Sequence, residues 1–98
     1  MNYRVKRICT INISTFYHNV AKKYKHTYSL EMMRKNIADA YDAMFEIEQT
    51  LLRRKPSIKR WENFYMAHSG HWYYAYTISG DIVTIEDACH EQNMHDEE

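Results

Sequence analysis

The sequence predicts an α+β fold: a strand, two helices and a three-stranded antiparallel meander, with both helices packed on one face of a four-stranded sheet. Three observations lead there. The stretch from Trp61 to His95 carries two glycine turn signals, His68-Ser69-Gly70 and Ser79-Gly80-Asp81, between runs rich in Tyr, Trp, Phe, Ile, Val and Thr. Upstream, from Ile13 to Leu52, apolar residues recur at helical rather than strand spacing. Two helices with one apolar face each must then bury those faces, and one side of a sheet is the natural cover.

The elements follow in order. Tyr3–Ile8 alternates as a strand, with Tyr3 and Val5 on one face and Arg4 and Lys6 on the other. Ile13, Phe16, Tyr17, Val20, Ala21 and Tyr24 form the stripe of a first amphipathic helix, capped by Asn12 or Ser14. Thr27-Tyr28-Ser29 is a break, with Ser29 as the N-cap of the next helix and Glu31 in its first turn. Leu30, Met33, Ile37, Ala40, Tyr41, Met44, Ile47, Leu51 and Leu52 continue the apolar stripe. Arg53, Arg54 and Lys55 complement the helix dipole at its end, and Pro56 stops it.

The meander strands span Trp61–His68, His71–Ile78 and Ile82–Cys89. In the middle one, Trp72, Tyr74, Tyr76 and Ile78 share the bulkier face and are expected in the core, together with Val83 and Ile85. His71, Tyr73, Ala75 and Thr77 fall on the other face. So do Glu62, Phe64, Met66 and His68 from the first strand, and Ile82, Thr84, Glu86 and Ala88 from the last. That face is expected to be open to a partner.

Ninety-eight residues bound the chain to one domain, read as 1–95 with an acidic tail at 96–98. Residues 1–60 hold all 13 Lys and Arg against five acidic residues, and residues 61–98 hold eight acidic residues and no Lys or Arg. The basic half suits a polyanion, because clustered cations release counterions from phosphate backbones; solvated faces are the plainer alternative. No apolar run reaches membrane-spanning length and no apolar signal region follows the charged start, so a cytoplasmic protein is expected. Cys9 and Cys89 lack metal-type spacing and read as buried free thiols, with a bridge between two strand ends as the alternative.

These residues resemble the RelE/ParE superfamily of type II toxin–antitoxin toxins. The strand–helix–helix–three-strand order is similar. So are Trp61-Glu62-Asn63-Phe64-Tyr65 before a turn, the hairpin from Trp72 through Tyr76-Thr77-Ile78-Ser79-Gly80-Asp81-Ile82, and the ending Ala88-Cys89-His90-Glu91-Gln92-Asn93-Met94. The resemblance implies a toxin that cuts mRNA on the ribosome and is held inactive by a cognate antitoxin. Its alternatives are a toxin that binds a protein such as DNA gyrase, and a relative that has lost toxicity and only binds a partner. Ribonuclease members often carry an arginine where this chain has Tyr73, and basic residues where it has Phe64 and Met66. The histidine-using, YafQ-like branch has counterparts to His68 and His90, and His71 stands where that branch has Asp. His95 falls at the position of a terminal aromatic residue.

Metal-free RNA cleavage needs a base for the ribose 2′-OH, an acid for the leaving 5′-oxygen and positive charge on the phosphate. On this resemblance His90 is the expected base, oriented by Glu86 on the same face, and His68 or His71 the acid. Arg53, Arg54, Lys55, Lys59 and Arg60 would hold phosphates, Tyr73 would stack on a base or donate a hydrogen bond, and His95 would touch RNA. Each histidine has a rival reading as a surface residue without a role. His18 and His26 are read that way outright. His68-x-x-His71 with His90 and His95 fits no standard structural zinc spacing, so neither metal nor other cofactor is expected.

Overall fold

The computed structural model describes residues 2–47 and 58–94. The chain forms β1 (Asn2–Val5), α1 (Arg7–Lys23), α2 (Leu30–Met44), a 3-10 turn (Lys59–Trp61), β2 (Tyr65–Ser69), β3 (Trp72–Ser79), β4 (Ile82–His90) and a final 3-10 turn (Glu91–Asn93). This is the expected α+β architecture. The four strands make one mixed sheet in the order β1-β4-β3-β2. β1 runs parallel to β4, and the other neighbours are antiparallel.

Both helices lie over one sheet face. Cys9, Ile13 and Tyr17 of α1 and Met33, Ala40 and Met44 of α2 bury there with Trp72, Tyr74, Tyr76, Val83 and Ile85. Hydrogen bonds tie the layers together, two of them from buried aromatic residues. The Trp72 indole donates to the Tyr17 hydroxyl at 2.9 Å, and the Tyr74 hydroxyl donates to the Ala40 carbonyl at 2.8 Å. Buried Trp and Tyr thereby satisfy their polar ends, so only their apolar bodies count as transferred from water. Ser29 caps α2 as expected, its hydroxyl accepting from the Met32 N–H at 3.1 Å.

Several boundaries differ from the sequence reading. α1 begins at Arg7, six residues before the first stripe residue Ile13. Among the described residues β1 pairs with β4 alone, and it ends at Val5, after which Cys9 opens the buried stripe. Lys6 stands at the N-cap without a side-chain cap, and neither Asn12 nor Ser14 caps the helix. Cys9 lies on a helix and not at a strand end; both cysteines are buried and free. Burial pushes the Cys9 thiol up to about 12, which keeps it an inert thiol. Leu30 is exposed rather than part of the α2 stripe. Leu51, Leu52, Arg53, Arg54, Lys55 and Pro56 lie outside the described residues. Among the described residues, no helix is long and apolar enough to cross a membrane.

The face away from the helices is not open along its length. Trp61–Phe64 is not strand. The Lys59–Trp61 turn folds back, and Ile58 and Trp61 bury against Met66, Ala75 and Cys89 as a second apolar cluster. The Trp61 indole donates to the Asp87 carboxylate at 2.8 Å, which also accepts from the Asn12 amide at 2.8 Å.

A bulge decides the far end of β4. Tyr76 pairs with Ile85 but Ala75 pairs with Asp87, so Glu86 is one residue too many. Side-chain alternation has a period of two, so the insertion reverses every later position. Ala88 and His90 turn to the helix side with Tyr74 and Trp72, while Asp87 and Cys89 take the other side. The sequence reading had Ala88 on the face away from the helices.

Candidate functional site

The β2–β3 hairpin closes on Gly70-His71, with Ser69 paired to Trp72. Gly70 has φ of +61°, a conformation that a Cβ would strain. This turn projects His71 beside the end of β4. Counting back from the Ser79–Ile82 pair, an unbulged hairpin would set His71 opposite His90. The extra residue Glu86 instead pairs His90 with Trp72 and brings Glu91 to His71. The Glu91 N–H donates to the His71 carbonyl at 2.8 Å, and the side chains of the same two residues meet at 2.8 Å.

Three of the expected histidines gather here. His71 Nδ1 lies 2.8 Å from Glu91 Oε1, and His68 Nε2 lies 4.0 Å from Glu91 Oε2. The His71 and His90 rings are 6.0 Å apart and 24° from parallel. His68 stacks on Tyr73 with centroids 4.3 Å apart, so one face of Tyr73 is taken by a protein ring. Glu91 was missed in the sequence, because its place opposite His71 depends on the bulge.

The hydrogen bonds assign tautomers. The hydrogen bond from His71 holds the Glu91 carboxyl below the usual carboxylate range, so Glu91 accepts and His71 Nδ1 carries the proton. A neutral His71 then has its lone pair on Nε2, on a ring that is largely exposed. His90 is arranged the other way. Its Nδ1 accepts from the Gln92 N–H at 3.2 Å, capping the last 3-10 turn. Neutral His90 therefore presents Nε2–H as a donor, which removes it from the role of general base. Burial pushes its pKa down, the nearby Glu91 charge opposes that, and His71 adds to it. Phe16 stacks on His90 at 4.0 Å, and Trp72 meets it edge-on at 5.3 Å.

Glu86 does not orient His90. Its carboxylate accepts from Thr77 at 2.8 Å and pairs with Lys6 at 2.9 Å. Burial opposes its ionisation, but the Lys6 and Thr77 hydrogen bonds outweigh this and hold its pKa low. Arg60 reaches the site's margin. Its guanidinium donates to Cys89 Sγ at 3.2 Å and lines a cleft of about 280 Å³ with His90, Asn12 and Asn93. Burial pushes the Cys89 thiol up against the opposing pull of Arg60. Lys59 sits in the same turn as Arg60. Arg53, Arg54, Lys55 and His95 lie outside the described residues. Among the described residues, no group of three or more His, Cys, Asp or Glu side chains has the geometry to hold a metal ion.

On the other side of Trp72 a second cleft carries the opposite charge. Asp39, Asp42 and Glu46 of α2 and the turn after it line it with Ser69, Gly70 and His71. The site therefore has an anionic flank on α2 and, on the side of α1, a flank where the Lys59–Trp61 turn brings Arg60. No protein-family model, curated protein or solved structure matches this chain.

Proposed function

We propose that this protein is a metal-independent endoribonuclease, acting as a type II toxin that cuts mRNA on the ribosome and is restrained by a cognate antitoxin. The observation that carries the reading is the His71–Glu91 pair with His68 and His90 around it. Oriented by Glu91, His71 Nε2 takes the proton of the ribose 2′-OH. The 2′-oxygen bonds to phosphorus and the bond to the 5′-oxygen breaks, leaving a 2′,3′-cyclic phosphate. Protonated His68 supplies the proton for the leaving 5′-oxygen. His90 Nε2–H donates to a phosphate oxygen, and Arg60, which lines the same cleft as His90, adds positive charge. Roles thus differ from those expected from sequence: His71 replaces His90 as base, and Glu91 replaces Glu86 as its partner.

The experiment is inducible expression in a bacterium, following growth and mRNA 5′ ends together. Growth arrest with new ends inside translated frames, lost in His71→Ala, supports the reading. Intact mRNA during arrest overturns it.

A second reading is a toxin that works by binding a protein such as DNA gyrase, or a relative that only binds a partner. What favours it is Tyr73, stacked on His68 where nuclease relatives carry arginine, and the lack of any Lys or Arg after Arg60. Arrest with DNA-damage signalling and intact mRNA supports the gyrase form. Binding without arrest supports the other.

A further inference from the structure

A groove that the proposed chemistry does not use runs along α1 beside His90. It is about 470 Å³ and is walled by Phe16, Tyr24 and Tyr28, with Asn19, Gln92 and Asn93 along it and Lys23 at its end. It meets the Arg60 cleft at Phe16, Asn19, His90 and Asn93. Its size lies within the range of small-molecule sites, ~300–1,000 Å³.

We propose that this groove binds an unpaired nucleobase of the RNA strand, next to the phosphate held at His90. The inference rests on the nuclease reading and names the substrate as single-stranded. The lining has the chemistry of a base site. Phe16 continues onto the stacked His90 ring, and Tyr24 stands 49% exposed, far more than a large aromatic needs for packing. Aromatic faces of this kind stack on bases, which a duplex keeps hidden.

The polar groups complete the match. Among the described residues, the side chains of Asn19, Gln92 and Asn93 make no hydrogen bond, so each offers a donor and an acceptor to a base edge. Lys23 holds its ammonium 5.5 Å from the Tyr24 ring, and Arg60 marks the opposite end. A strand laid between them meets a cation at each end and a ring system in the middle. The flank beyond Trp72 carries Asp39, Asp42 and Glu46 and repels phosphate, which directs the strand to α1.

The test uses the full chain and a short 2′-O-methyl oligoribonucleotide, which lacks the attacking hydroxyl and stays intact. Side-chain amide resonances of Asn19, Gln92 and Asn93 are followed by NMR during titration. Saturable shifts of these signals are expected, with binding roughly tenfold or more weaker in Tyr24→Ala. Tyr24 is exposed, so its loss leaves folding intact, as the unchanged remainder of the spectrum would show. Amide signals that stay still overturn the proposal, as does equal binding by Tyr24→Ala. Shifts produced by an apolar peptide and not by the oligonucleotide overturn it in favour of a protein ligand. Binding in the groove by a protein that leaves translated mRNA intact in the expression experiment would end the nuclease reading and keep the base site. Cleavage indifferent to Tyr24→Ala would do the reverse.

Discussion

Gly70 and Gly80 occupy the same position in two hairpin loops, with φ of 61° and 57°. Each opens a two-residue loop, Gly70-His71 between Ser69 and Trp72, and Gly80-Asp81 between Ser79 and Ile82. In each, the second loop residue offers its carbonyl to a neighbouring segment: His71 to Glu91 at 2.8 Å, and Asp81 to Asn2 at 2.7 Å. There the likeness ends. His71 sits among His68, His90 and Glu91. The Asp81 side chain makes no hydrogen bond or ion pair to another described residue. One local geometry thus serves a cluster of three histidines and a glutamate at one end of the sheet and plain chain reversal at the other. What separates them is the neighbour that each turn meets.

The largest contrast is expected in activity. His71→Ala should lower RNA cleavage by ~10²–10⁴-fold, the usual contribution of a general base, and Asp81→Ala should leave it unchanged. Equal losses at both turns, read in a cleavage assay on the same translated message, would erase the distinction. Glu91→Gln keeps the shape of the pair but removes its charge, so a smaller loss of rate is expected there with the fold intact.

Stability sharpens the comparison from the core side. Only the His71 end is braced by the Trp72–Tyr17 hydrogen bond. Tyr17→Phe leaves the buried indole N–H without its acceptor and should cost ~1–3 kcal/mol in urea unfolding. The glycines should behave alike. Neither would place a Cβ within 4 Å of another group, so Gly70→Ala and Gly80→Ala each carry backbone strain alone, ~1–2 kcal/mol. Matching losses of stability are expected, with a loss of cleavage only for Gly70→Ala.

The smallest effect is the pH dependence that His90 contributes at the His71 end. His90 has its pKa lowered in the fold by burial against Phe16 and Trp72, so below the ordinary histidine value the unfolded chain binds more protons. Its contribution is present above that value, ~6.5, and is lost as pH falls through the lower folded value. Urea midpoints should therefore drop on acidification. His90→Phe, which keeps a ring against Phe16, should flatten that part of the curve. An unchanged slope would mean that other groups set it.

Much of the fold was legible because period and turn chemistry are local. The Tyr74-x-Tyr76 side of β3, the Ser29 cap and both glycine turns were readable from neighbouring residues alone. The start of α1 was not. Arg4-Val5-Lys6-Arg7-Ile8 alternates like a strand, and only the limited pairing of β1 and the burial of Cys9 make it turn into helix at Arg7. The candidate site was half legible. His68, His71 and His90 were named, while Glu91 was passed over for Glu86, which binds Lys6 and Thr77 instead.

The sequence by itself determined the order of elements, the faces of β3 and the two loops, because each depends on residues a few positions apart. Tertiary structure decided the rest. One extra residue in β4, Glu86, reverses the strand's alternation, turns His90 toward α1 and delivers Glu91 to His71. Nothing in the local run marks that bulge, since Ile85, Glu86 and Asp87 all tolerate strand geometry. Its place is set by which residues of β4 find partners on β3 and under the helices, and that is a property of the packed molecule.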